Sequence, residues 1–89
     1  MFEPERSSAW RNGLNAFHRI PLAHIDAVVT STLGPGRVRG NAQPAVFYRQ
    51  IAMYLAKHVG GWSTTRIGKF YNGRHHTTVC HAIRRIEAL

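Results

Sequence analysis

Four polar side chains stand in a row at His75-His76-Thr77-Thr78, preceded by Asn72-Gly73-Arg74 and followed by Cys80 and His81. Three kinds of chemistry could use this set. Zinc takes imidazole and thiolate ligands, and His76 and Cys80 fall four apart, on one face of a helix. Two further ligands at suitable spacing are missing unless His58 or His24 folds close, so no metal is expected and Cys80 reads as a small buried hydrophobe. A thiol paired with His76 or His81 is a nucleophile in outline, yet such a pair on one helix brings no pocket and no oxyanion donors. The third use is contact with nucleic acid, through hydroxyls, imidazoles and a helix N-terminus that attracts phosphate.

The charge distribution favours the third. Twelve Lys and Arg face four acids in 89 residues, for a formal net charge of +8. The acids are Glu3, Glu5, Asp26 and Glu87. Between Ala27 and Ile86 no carboxylate occurs, while Arg37, Arg39, Arg49, Lys57, Arg66, Lys69, Arg74, Arg84 and Arg85 all fall there. A surface so cationic attracts polyanions. A metal nuclease needs clustered carboxylates, and none are present. The chain is therefore expected not to be an enzyme and to take no cofactor and no small-molecule substrate. No apolar run approaches the ~20 residues that cross a bilayer. The single Cys80 and the charged N-terminus, with no signal-peptide pattern, make a cytoplasmic, nucleoid-associated protein the expectation.

The elements that would position these residues are helices. Pro21 opens one, with Leu22, Ile25, Val28, Val29 and Leu33 at helical spacing, and Gly34-Pro35-Gly36 ends it. A basic loop, Arg37 to Gln43, follows. Pro44 opens a second helix to about Val59, with Val46, Phe47, Ile51, Tyr54, Leu55 and His58 following the helical period. Gly60-Gly61 stops it. Ser63 or Thr64 caps a short helix over residues 65–71 that turns Ile67 and Phe70 inward. Asn72-Gly73 makes the next turn, and the last helix runs from about His75 to Leu89, packing Val79, Ala82, Ile83, Ile86 and Leu89. Trp62 is expected to cover the core, with the tyrosines in the core or at its rim. Residues 1–20 read as an arm or as a short helix capped by Ser7 or Ser8; residues 21–89 form the domain. The fold class is all-α, a small helical bundle containing a helix-turn-helix.

Residues 49–89 resemble, without gaps, the C-terminal DNA-binding domain of the bacterial replication initiator DnaA, a TrpR-like helix-turn-helix. The matching residues are Arg49-Gln50-Ile51-Ala52-Met53, Leu55-Ala56-Lys57, Ser63, Ile67-Gly68, Gly73-Arg74, His76-Thr77-Thr78-Val79 and His81-Ala82. The family signature Gly-Arg-Asp-His-Thr-Thr-Val is met except at His75. The resemblance implies that His76 and Thr77, with His75, read bases in the major groove, and that Thr78 and His81 meet bases or phosphates. It further implies that Arg49, Gln50 and Lys57 hold the DNA backbone and that Thr64 and Thr65 approach it at the turn. Arg74 either joins them or braces the turn, and Arg84 and Arg85 are peripheral.

Three departures stand out. His75 replaces an Asp that can accept from cytosine N4, where an imidazole donates instead. The family's minor-groove arginine has no aligned match; Asn41 stands near its place, and Arg37 or Arg39 could substitute from the loop. No ATPase domain is expected, since Gly68-Lys69 lacks the upstream glycine of a P-loop. The expected function is sequence-specific binding of double-stranded DNA at DnaA-box-like sites, modulating replication initiation or transcription. DnaA or another replication protein is a candidate partner. The alternative is an adaptor of the same fold that acts through a protein partner and holds DNA by charge alone.

Overall fold

The computed structural model describes residues 19–89, which contain four helices. We label them α1 (Leu22–Thr32), α2 (Ala45–His58), α3 (Thr64–Phe70) and α4 (His76–Glu87). The expected starts and stops are largely where the capping chemistry puts them. Pro21 precedes the first turn of α1, and its carbonyl accepts from His24 N at 3.0 Å and Ile25 N at 3.1 Å. Ser63 caps α3, its hydroxyl accepting from Arg66 N at 3.2 Å. The readings on residues 1–18, including a Ser7 or Ser8 cap, lie outside the described residues.

α2 is the central element, in contact with α1, α3 and α4. The core consists of Leu22, Ile25 and Val29 from α1, Ala52, Met53 and Ala56 from α2, Ile67 and Tyr71, and Val79, Ala82 and Ile83 from α4. The buried face of α2 is not the expected one. Arg49, Ala52, Met53 and Ala56 point inward, while Val46, Phe47, Ile51, Tyr54 and Leu55 are half-buried on its flanks and His58 is exposed. The reason is steric. Ala52 and Ala56 are 1% and 0% exposed, and small side chains let the neighbouring helices approach the α2 backbone. The larger apolar groups then seal the edges. α1 rests on α2 through a narrow stripe only, so Val28 and Leu33, expected inside, are exposed, as is Leu89 beyond the last turn of α4.

The α3–α4 turn is drawn tightly onto α3. Asn72 and Gly73 both adopt left-handed backbone, at φ 64° and 70°. Arg74 N–H then donates to the Gly68 carbonyl at 2.8 Å. The Arg74 carbonyl occupies the space that a Cβ on Gly68 would need. Only glycine fits at 68, because the obstacle is backbone and cannot rotate away.

Tyr71, at the end of α3, is 1% exposed and donates its hydroxyl to Asp26 Oδ1 at 2.9 Å, tying α3 to α1. Burial, and then the Asp26 carboxylate, push its ionisation well above the ordinary tyrosine range. An unfolded Tyr71 ionises near pH ~10, whereas the folded one stays protonated. Its contribution to stability is therefore fully present below about pH 10 and declines above it.

Two outcomes follow. Gly68→Ala should lower unfolding stability by about 1–3 kcal/mol in denaturant titration, since the α3–α4 turn must move. Tyr71→Phe should cost about 1 kcal/mol near neutral pH. The gap between it and the wild type should narrow as pH rises above about 10; a gap that widened there would refute the protonated phenol.

Candidate nucleic-acid interface

α4 owes its position to the turn and its start to His75. His75 has extended backbone, φ −67° and ψ 150°, and its side chain accepts from Thr77 N–H. The Nδ1···N distance is 3.2 Å, and the Thr77 hydroxyl lies 2.9 Å from the same Nδ1. Imidazole Nδ1 is as many bonds from Cα as the carboxylate oxygen of Asp, so His75 serves as the N-cap that Asp or Asn commonly supplies. The His75 and His76 rings stack with centroids 4.2 Å apart.

One face of α4 buries Val79, Ala82 and Ile83; the other leaves His76, Thr77, Thr78, His81, Arg84 and Arg85 exposed. Thr65 and Lys57 are also exposed, and Thr64 is half-buried. The one acid of α4, Glu87, sits in its last turn, 3.0 Å from His58 Nε2 and away from His75 and His76. Cys80, expected to be buried, is half-buried. Trp62 packs at the core's edge as expected, its Nε1–H donating to the Ile20 carbonyl at 2.8 Å, with Arg19 over its ring.

The basic loop is pinned to the turn by arginines that sequence reasoning assigned to DNA. Arg49 was expected at phosphates; it is 3% exposed and points inward. Its guanidinium donates to the Gly36 carbonyl at 3.2 Å, the Val38 carbonyl at 3.4 Å and Asn41 Oδ1 at 3.1 Å. Burial, and then the nearby Arg74 charge, lower its proton affinity below the arginine norm. Arg74 is half-buried and braces the turn, donating to the carbonyls of Tyr71 at 2.7 Å and Gly40 at 3.2 Å. Arg37 donates to the Phe70 carbonyl at 2.8 Å and lies 3.9 Å above the Phe70 ring. Asn72 Nδ2–H reaches the Val38 carbonyl at 3.3 Å. Arg39 is exposed and makes no hydrogen bond to a described residue. The long, cationic side chain of Arg49 argued against burial; the sequence signal for it was its spacing with Ala52, Met53 and Ala56 on one face of α2.

Gln50 points into a groove of about 370 Å³ between α2 and α4, lined also by Asn41, Thr78, His81 and Arg85. Gln50 Oε1 is buried there with no hydrogen-bond partner among the described residues. The structure thus brings Gln50, Thr78 and His81 together beside the exposed first turn, with Arg39 presented from the loop.

A short helix, a left-handed turn and a second helix that offers its first turn to solvent make this a helix-turn-helix domain. A search of known families agrees and widens the resemblance seen in the motif. The chain belongs to the bacterial DnaA helix-turn-helix family, which matches residues 37–86 and so takes in the basic loop. The chromosomal replication initiator protein DnaA of Roseobacter denitrificans is 42% identical over 66 residues, covering 74% of this chain and 14% of that protein. Its counterpart in Cereibacter sphaeroides is 37% identical over 84 residues, 94% of this chain and 18% of the relative. That of Sphingopyxis alaskensis is 39% identical over 87 residues, 98% and 18% respectively. The chain thus spans less than a fifth of the length of the relatives it matches. No solved structure matches it.

Arg49→Met should release the loop. The expected cost is about 2 kcal/mol of stability, the scale of hydrogen bonds from a charged donor. Amide exchange at residues 36–41 should accelerate, with α3 and α4 amides following global unfolding alone. Unchanged loop protection would show that Arg49 does not hold it.

Proposed function

We propose that this domain binds double-stranded DNA sequence-specifically at DnaA-box-like sites, with the first turn of α4 in the major groove. Its action would modulate replication initiation or transcription on the bacterial nucleoid. The observation that carries the reading is the exposed run His75-His76-Thr77-Thr78 at the N-terminus of a helix whose opposite face is core. These four side chains read base edges, with His81 beside them. Lys57, Thr64 and Thr65 face the phosphates, which Gln50 in its groove meets only through its amide N–H; these contacts set register and salt dependence rather than sequence. Arg39 is the loop cation free to enter the adjacent minor groove. Arg37, Arg49 and Arg74 act through the loop and turn that they hold.

A second reading has one observation in its favour. Ile20, Val28 and Val59 are 37%, 48% and 62% exposed and border one apolar groove between α1 and α2. An adaptor that binds DnaA or another replication protein would use such a surface, with DNA held by charge alone.

Gel shifts with a DnaA-box duplex and a scrambled duplex, near physiological salt, separate the two. On the first reading, the box binds at least tenfold more tightly, a ratio well below the usual specific preference of about 10³ or more. His76→Ala with Thr77→Ala should remove that preference, at about 1–3 kcal/mol for each lost base contact, and leave scrambled binding intact. Lys57→Ala should weaken both duplexes alike and reduce the salt slope by about 1. Equal affinity of the wild type for both duplexes would favour the adaptor.

A further inference from the structure

The cap of α4 constrains the chemistry of the residue that makes it. A backbone N–H donates and never accepts. With Thr77 N–H directed at His75 Nδ1 over 3.2 Å, that nitrogen carries a lone pair. A neutral ring that accepts this bond carries its proton on Nε2. In that tautomer the Thr77 hydroxyl, 2.9 Å from the same nitrogen, donates to it as well. The His76 ring lies beside the imidazole, with centroids 4.2 Å apart and the planes tilted by 34°. Nε2 is left at the far end of an exposed side chain with no described partner.

We infer that His75 is a specificity-determining residue that presents a fixed donor, Nε2–H, to a purine in the major groove. Guanine offers N7 and O6 as acceptors, and adenine N7. The inference rests on the proposed groove seating of α4. An aspartate cap at the same place would hold Thr77 N–H equally well and present a second carboxylate oxygen outward. That oxygen accepts, and it selects the cytosine N4 amino group. The cap is thus kept while the polarity of reading at one base pair is inverted.

The test combines ¹⁵N NMR of the histidine rings with selection from a randomised duplex pool, using the wild type, His75→Asp and His75→Ala. Nδ1 of His75 should resonate as an unprotonated nitrogen above neutral pH, with Nε2 protonated. The wild type should enrich a purine at one position. His75→Asp should shift that position to cytosine on the same strand by about tenfold and leave the other positions alone. His75→Ala should lose the preference at that position only. Aspartate is a strong N-cap, so His75→Asp keeps its fold, which a thermal melt verifies. The opposite tautomer, identical motifs for wild type and His75→Asp, or a wild-type pyrimidine at the altered position would each overturn the inference alone. A wild-type pool that enriches no motif would overturn the groove-reading function, and the inference with it.

Discussion

The position of α4 depends on the meeting of Gly68 with the backbone of Arg74. Arg74 N–H is bonded to the Gly68 carbonyl, and the Arg74 carbonyl fills the place of the missing Cβ. With those two contacts made, the chain leaves the turn in one direction. The Arg74 side chain is then aimed at the Tyr71 and Gly40 carbonyls, and the next residue, His75, is placed to cap the helix. The direction in which α4 leaves the turn is thus set by backbone contacts, which flex less than side chains.

The basic loop presents a different physical problem. Cations held close together repel, and the usual remedy is a carboxylate between them. This domain uses carbonyl oxygens and an amide oxygen instead, at Gly36, Val38, Gly40, Tyr71, Phe70 and Asn41. Dipoles satisfy guanidinium donors without cancelling their charge. The loop is ordered and the positive field over the acid-free stretch is retained, which a salt-bridged design would have weakened. Arg49 bears the cost, being desolvated and beside Arg74. Its three hydrogen bonds are what make that burial tolerable.

Much of this was legible in the residues. Proline, glycine and serine marked the helix ends, because each acts through its own backbone or cap chemistry and needs no tertiary partner. Asn72-Gly73 announced a turn for the same reason. The amphipathic face of α4 was clear, since Val79 and Ile83 contrast sharply with the threonines and arginines around them. α2 was misread because its inward face combines two alanines and an arginine with a single methionine, while most of its bulkier apolar groups flank it. Hydrophobic periodicity weighs side-chain size, whereas close helix packing rewards its absence. Bracing of the turn by Arg74 was one of its two expected roles, but the bracing role of Arg49 was hidden because its acceptors lie eight to thirteen positions away in the chain, on a loop whose path no local rule dictates.

His75 shows how a single exchange can keep a local structure and change what it offers. An aspartate cap adds negative charge at the positive end of the helix dipole, an interaction of about 0.3–1 kcal/mol. The imidazole keeps the hydrogen bond to Thr77 N–H and gives up that charge. In the free domain this is a small loss. Against a polyanion the balance reverses, because a carboxylate at the exposed turn would repel phosphate and dilute the field built by the surrounding cations. The stretch from Ala27 to Ile86 lacks carboxylates altogether, and the cap of α4 is a place in it where the helix itself would favour one. That the cap is nonetheless a histidine makes the first turn of α4 a surface of donors, hydroxyls and methyls, with its positive helix end uncompensated.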